Sequence, residues 1–164
     1  MDWGLTLALT GLGLAVSLPG IGSSIGIHAA SKNATGVLSE KPERYPQLFI
    51  MVMLPGTQGF YGFLSALIVM LKINLFGEGG VIPVNVVLGS QILAACLPVA
   101  IAGLITAIYQ GRVSAGGILM ASKRPEMAFK AGVIYAVMVE IYAILGLLAT
   151  LFMLFFAIKW PTPA

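Results

Sequence analysis

The chain has 164 residues, of which 59% are hydrophobic and only 9% charged, and its mean hydropathy is +0.99. That composition excludes an ordinary soluble domain and points to a membrane protein. The formal net charge is +3, but most basic residues cluster at or near the connections and no basic patch lies on a soluble fold, so no nucleic-acid partner is expected.

Four apolar runs exceed the ~20 residues that a helix needs to cross a bilayer. The first is Leu5–Leu38. Only Met1 and Asp2 are offered as a leader, no basic segment precedes the run, and the run is too long for a signal-peptide core, so it is expected to remain as a span. Small residues recur at every fourth position, at Gly22, Gly26, Ala30 and Ala34. Such spacing lets helix backbones approach closely in lipid. His28, one turn before Lys32, reads as a structural residue.

The second run, Gln47–Ile73, is interrupted by Pro55-Gly56 and then carries Thr57 and Gln58. Proline has no N–H and crowds the turn before it, so a carbonyl between Met51 and Leu54 is left free to face a cation. The third run, Val84–Met120, repeats the small stripe at Gly103, Ala107, Gly111 and Ala115 and holds Gln110 at depth. Gly36, Gly116 and Gly117 extend the small surface. Cys96 is the sole cysteine; it excludes an intrachain disulfide and reads as a small packing residue.

The fourth run, Met127–Ile158, contains Glu140. The other acids (Asp2, Glu40, Glu43, Glu78 and Glu126) lie near a terminus or in a connection. A lone carboxylate at bilayer depth is costly and marks function. Desolvation favours its neutral form, so it can take up and release a proton or hold a small cation.

Charge placement sets an expected orientation. Lys32, Lys41, Arg44, Arg112, Lys123, Arg124 and Lys130 cluster around the first and third connections, while Lys72 and Lys159 lie on the other side with Asp2 and Glu78. The positive-inside rule places both basic loops in the cytoplasm and both termini outside.

The two halves resemble each other, each being a helix, a basic loop and a second helix. Lys41-Pro42-Glu43 matches Arg124-Pro125-Glu126, 83 residues on (125 − 42), while Tyr61 and Tyr142, and the two small stripes, are 81 apart. The fold class is therefore an all-α membrane protein of four spans, built as two tandem hairpins in one integrated membrane domain, 1–79 and 80–164, with both hairpins in the same orientation. The stripes fit either a contact inside one four-helix bundle or the packing of spans one and three of many copies around an inner circle. Spans two and four carry most of the bulky residues, among them Phe60, Phe63, Tyr135 and Phe152. Small on one side and large on the other makes a wedge, and wedges set side by side close into a ring.

The polar residues meet at one depth. Counted from the loop prolines, Gln58 is 16 residues away (58 − 42), Glu140 is 15 (140 − 125) and Gln110 is 15 (125 − 110). At 1.5 Å per residue each lies roughly 22–24 Å from its loop. Glu140, Gln110, Gln58, Thr57 and a backbone carbonyl form an oxygen-rich set. A proton carrier needs only the carboxyl group, whereas a hard cation needs several oxygens, so the set favours Na⁺ over H⁺.

Leu54-Pro55-Gly56-Thr57-Gln58-Gly59-Phe60-Tyr61-Gly62, Tyr109-Gln110-Gly111-Arg112 and Met138-Val139-Glu140-Ile141-Tyr142-Ala143-Ile144-Leu145-Gly146 resemble the membrane rotor subunit of V-type (V/A-type) rotary ATPases, the K or proteolipid (c-type) subunit, in its sodium-pumping bacterial form. The resemblance implies a homo-oligomeric rotor ring of four-helix subunits in a prokaryotic cell membrane. It implies Na⁺ as bound, transported ion, with Glu140 as the ion-binding carboxylate. Thr57, Gln58 and Gln110 would be side-chain ligands, Leu54 a backbone-carbonyl ligand and Tyr61 the residue that locks the occupied site. Implied partners are identical copies, a membrane stator subunit and central-stalk subunits on the cytoplasmic side. Some relatives have a second carboxylate where the first half here is expected to carry Gln58, so one ion per subunit is expected. No Walker-type phosphate loop is present, and ATP hydrolysis is expected on partner subunits. The competing readings are a small four-helix secondary transporter working through a membrane Glu and a structural tetraspan protein. Against the transporter, Glu140 lies in the last span and no aromatic-lined cavity is evident beside it; against both stands its oxygen cluster.

Overall fold

A computed structural model describes residues 2–161. Among the described residues four helices are long and apolar enough to cross a membrane: α1 (Trp3–Glu40), α2 (Pro42–Lys72), α3 (Val86–Lys123) and α4 (Pro125–Ala157). They confirm the four expected spans, with ends displaced by a few residues. Helix starts are set by caps that hydropathy does not register: the Asp2 carboxylate accepts from the Leu5 N–H and the Asn85 side chain from the Leu88 N–H, satisfying donors that the first turn leaves unpaired.

α1 and α3 are each 38 residues long and almost featureless in polarity around the helix. They form the principal helix pair of the molecule, with α2 packed against both and α4 packed mainly on α3. Lys41 at the first basic turn donates through Nζ to the Ser122 carbonyl at the end of α3, tying the two basic ends together.

The small stripes meet inside one chain. A methyl group on Gly22 would strike the backbone of Leu104, one on Gly26 the carbonyl of Ala107, and one on Gly111 the backbone of Gly26. Of the two readings open in the sequence, the contact within one subunit is the one observed; the stripes are already filled before any second copy arrives. Gly36 and Gly116 face open space, and Gly117 packs on Gly132.

α2 and α4 are irregular. In α2 a 3₁₀ turn at Leu54–Gly56 separates Tyr45–Met53 from Thr57–Lys72, at the break that Pro55 enforces. In α4 the first turns are π-helical from Ala128 to Val133, and the helix ends in a second π segment, Met153–Ala157. A π turn accommodates an extra residue. Its effect is visible in the register of the hairpins. Gly62 of α2 packs on Ala15 and Pro19 of α1, and Gly146 of α4 packs on Pro98 and Ala102 of α3. The α1-to-α3 offset is 83 (98 − 15, 102 − 19), but the α2-to-α4 offset is 84 (146 − 62). The spacing of 81 read from the stripes and from Tyr61 and Tyr142 is therefore not the repeat length. For the stripes it lies close to the register in which they face each other.

Candidate ion-binding site

The 3₁₀ break in α2 positions the site. After Pro55-Gly56 the helix resumes at Thr57 with Gln58 turned inward, fully buried, and Tyr61 one turn further. The Gly59 N–H donates to the Ser23 hydroxyl at 3.0 Å, which pins this resumed helix to α1. α3 brings Gln110, also fully buried, and α4 brings Glu140, 8% exposed.

These side chains form one connected chain of hydrogen bonds. The Tyr61 hydroxyl donates to Oε1 of Glu140 at 2.6 Å. Gln110 Nε2 donates to Oε2 of Glu140 at 3.2 Å and to the Ala136 carbonyl at 3.1 Å. Gln58 Nε2 donates to Oε1 of Gln110 at 2.6 Å. The chain ends on Oε1 of Gln58, which is buried and has no hydrogen-bond partner among the described residues. An unpartnered buried acceptor is costly, and a cation is one way to satisfy it. Both amides are free to present oxygen in place of N–H by rotation, since nothing but the network fixes which end points where. The carboxylate and two amides are hard oxygen donors, the class that suits an alkali cation.

Four of the expected site residues (Glu140, Gln110, Gln58 and Tyr61) are thus brought together. Among the described residues Thr57 and the Leu54 carbonyl make no hydrogen bond to Glu140, Gln110 or Gln58, while the Thr57 side chain lies beside Tyr61. The Thr57 hydroxyl donates back to the Leu54 carbonyl at 3.0 Å, and that carbonyl also takes the Thr57 N–H. Of the carbonyls from Met51 to Leu54, that of Leu54 is taken up by the tightened turn. Sequence reasoning missed the Ala136 carbonyl, one turn before Glu140 on the same face, for which helical periodicity was the available signal. It also missed Ser114, one turn beyond Gln110 on α3, fully buried with a hydroxyl that has no partner among the described residues. With the α2-to-α4 offset of 84, the counterpart of Glu140 is Gly56 and that of Gln58 is Tyr142. The first hairpin carries glycine, not Gln58, at the carboxylate position.

A family model for the ATP synthase C-type subunit matches residues 10–69 and again residues 93–153. The chain belongs to this ATP synthase C-type family. Its two matches begin 83 residues apart (93 − 10) and end 84 apart (153 − 69), the offsets that the helix packing gives. V-type sodium ATPase subunit K of Enterococcus hirae is 41% identical over 143 residues, which are 87% of this chain and 86% of that one. A-type ATP synthase subunit K of Methanocaldococcus jannaschii is 32% identical over 150 residues, 92% of this chain and 62% of that one. As a member of the family, the chain is a membrane-embedded, ring-forming rotor subunit of a rotary ATPase. It is an ion-translocating part, and the catalytic work belongs to the complex.

Proposed function

We propose that each subunit binds one Na⁺ at Glu140 and carries it across the membrane as the ring turns, driven by ATP hydrolysis on partner subunits. The observation that supports this reading best is the Tyr61–Glu140–Gln110–Gln58 chain, ending on the unpartnered Oε1 of Gln58. A site for a proton alone would need neither amide. The sodium ATPase of Enterococcus hirae among the relatives points the same way. In the loaded state Glu140 and the amide oxygens of Gln110 and Gln58 hold the ion, with Tyr61 fixing the carboxylate. The Thr57 hydroxyl keeps its oxygen lone pairs while it donates to the Leu54 carbonyl, so it is able to join the ion's shell without that bond opening.

Na⁺ on Glu140 is neutral as a unit and can face lipid, whereas the bare carboxylate cannot. Unloading therefore belongs beside a membrane stator subunit that offers a basic residue, since Lys130 is ten residues from Glu140 (140 − 130) toward the loop. With basic loops inside, central-stalk subunits attach on the cytoplasmic side of a prokaryotic cell membrane, and the hairpins 1–79 and 80–164 act as one unit. One carboxylate per four helices lowers the number of ions per ATP. Each ion then receives more free energy, which favours a pump working against a steep gradient. Equilibrium binding of radioactive sodium to the purified ring tests the reading. Saturable binding near one ion per chain, lost in Glu140→Gln, is expected; the absence of saturable sodium binding would leave only the proton reading.

A further inference from the structure

The resumed half of α2 has no cap of its own. It restarts at Thr57, and the first N–H groups of a helix have no acceptor within that helix. The usual remedy is a Ser, Thr, Asp or Asn just before the first turn, whose side chain accepts one of these donors. Gly56 stands there, with no side chain and no capping bond. The Thr57 N–H turns back to the Leu54 carbonyl. The Gly59 N–H is met from another helix. It donates to the Ser23 hydroxyl of α1 at 3.0 Å, across 36 residues of sequence. Ser23 is itself buried, and a methyl group on Gly59 would come within 3.4 Å of its oxygen.

The second hairpin supplies a comparison within the same molecule. Shifted by 83 in α1 and 84 in α2, Ser23 falls on Thr106, Gly59 on Ala143, Pro55 on Val139 and Gly56 on Glu140. α4 runs there as an unbroken α-helix from Ile134 to Phe152, since Val139 has the N–H that Pro55 lacks. Ala143 lies inside that helix. The Thr106 hydroxyl, also buried, donates to the Ala102 carbonyl of its own helix at 2.6 Å. Both hairpins carry a hydroxyl at this position, and it serves the facing helix only where that helix is broken.

Gly59 lies between the two groups that α2 contributes to the network. Gln58 precedes it and donates to Gln110, and Tyr61 follows it and donates to Glu140, each at 2.6 Å. Their aim depends on where this first turn sits. The 3₁₀ turn behind it holds it weakly, because a 3₁₀ stretch inside a helix is a place where the axis can bend. We propose that Ser23 is a positioning residue for the ion site: its hydroxyl caps the resumed half of α2 from α1, and so aims Gln58 at Gln110 and Tyr61 at Glu140. The inference rests on the sodium reading given above. Ser23 acts through Gly59 and not on the ion. Its loss leaves Gln110 and Glu140 on their own helices but slackens the two α2 groups. Sodium uses the Gln58 amide and the carboxylate that Tyr61 fixes, whereas a proton needs only the carboxyl group. Ser23 therefore bears on the choice between the two ions, from a helix that supplies no ligand of its own.

Purified rings of Ser23→Ala, Ser23→Thr and Thr106→Ala test this, with ring assembly of each variant checked by native electrophoresis. A helix cap contributes enough to change an equilibrium by roughly five-fold, so Ser23→Ala should lower sodium affinity by about that factor. Ser23→Thr keeps the accepting oxygen and should restore it. Thr106→Ala removes a hydroxyl bonded within its own helix and should bind sodium as the wild type does. A second readout on the same rings is the rate at which a hydrophobic carbodiimide labels Glu140 without sodium. It should rise in Ser23→Ala alone, since the Tyr61 bond favours the charged carboxylate that the reagent does not attack. The two readouts separate this inference from the reading beneath it. Wild-type rings without saturable sodium binding would remove the sodium reading, and the labelling rates would still decide the role of Ser23. If Ser23→Ala yields no rings, Ser23→Cys, with its weaker acceptor, takes its place in both assays. Wild-type sodium affinity and labelling rate in Ser23→Ala would overturn the proposal. So would an equal loss in Ser23→Thr, which would make the effect one of packing, or an equal loss in Thr106→Ala.

Discussion

The Tyr61 hydroxyl and Oε1 of Glu140 lie 2.6 Å apart, joining α2 of the first hairpin to α4 of the second across 79 residues of sequence (140 − 61). The phenol donates and the carboxylate accepts, so this bond stabilises the charged form of Glu140 that an incoming cation requires. Tyr61→Phe keeps the ring in place and deletes only the donor. A hydrogen bond to a charged group contributes about 1.5–3 kcal/mol, so sodium affinity should fall by about ten-fold or more while the subunit still assembles. Sodium binding to rings of the variant checks this, and unchanged affinity would remove Tyr61 from the site.

Gln110 occupies the centre of the network, donating to Glu140 and Ala136 and accepting from Gln58. Gln110→Leu should weaken sodium binding more than Gln58→Leu, because it breaks three bonds in place of one. Both should reduce sodium transport more than proton transport, since a proton needs only the carboxyl group. Glu140→Gln should abolish transport of either ion. Comparing the ratio of the two affinities in each variant is the measurement; an equal loss for both ions would detach the amides from ion selection.

Gly26 has no room for a side chain, since a methyl group there would meet the Ala107 carbonyl and Pro55. Gly26→Leu should destabilise the subunit itself by more than the ~1–3 kcal/mol typical of overpacking, because backbone and not a movable side chain is in the way. Gly116→Leu faces open space and should leave the melting temperature of the isolated subunit close to wild type. Thermal melts in detergent separate the two, and a Gly26→Leu subunit as stable as wild type would contradict the α1–α3 contact.

The stator is the partner on which unloading depends. Bare Glu140 is costly against lipid, and the exposed side chains around it, Met138, Ile141 and Tyr142, offer no cation. A structure of ring and stator together should place an Arg or Lys of the stator at the depth of Glu140. An interface with no basic residue at that level would end this account of release.

Much of this architecture was legible because hydropathy reports membrane spans directly. The four apolar runs were found, and counting from Pro42 and Pro125 put Gln58, Gln110 and Glu140 at the common depth where they are in fact hydrogen-bonded. The repeat was legible, but its length was not. The small residues of the two stripes align best at 81 because parallel helices present them to each other, whereas the repeat itself is 83 to 84. Nothing in Ala128–Val133 announces a π turn, so the extra residue of α4 and the pairing of Glu140 with Gly56 emerge only from the helix packing. The Thr57 hydroxyl, which the sequence places in the oxygen-rich set, donates to the Leu54 carbonyl three residues away. A hydroxyl beside a proline break has that partner within reach whatever the tertiary structure does.

The most direct test of the central claim is modification of Glu140 by a hydrophobic carbodiimide in purified rings, with and without Na⁺. The reagent attacks the protonated carboxyl group, and an ion held by Glu140 keeps the proton away. Labelling should fall on Glu140 alone. It should be slowed by Na⁺ near neutral pH and require more Na⁺ for the same protection as pH is lowered, because the proton and the ion compete for one carboxylate. Labelling of another acid, or labelling of Glu140 at a rate indifferent to Na⁺, would contradict a sodium site at this position.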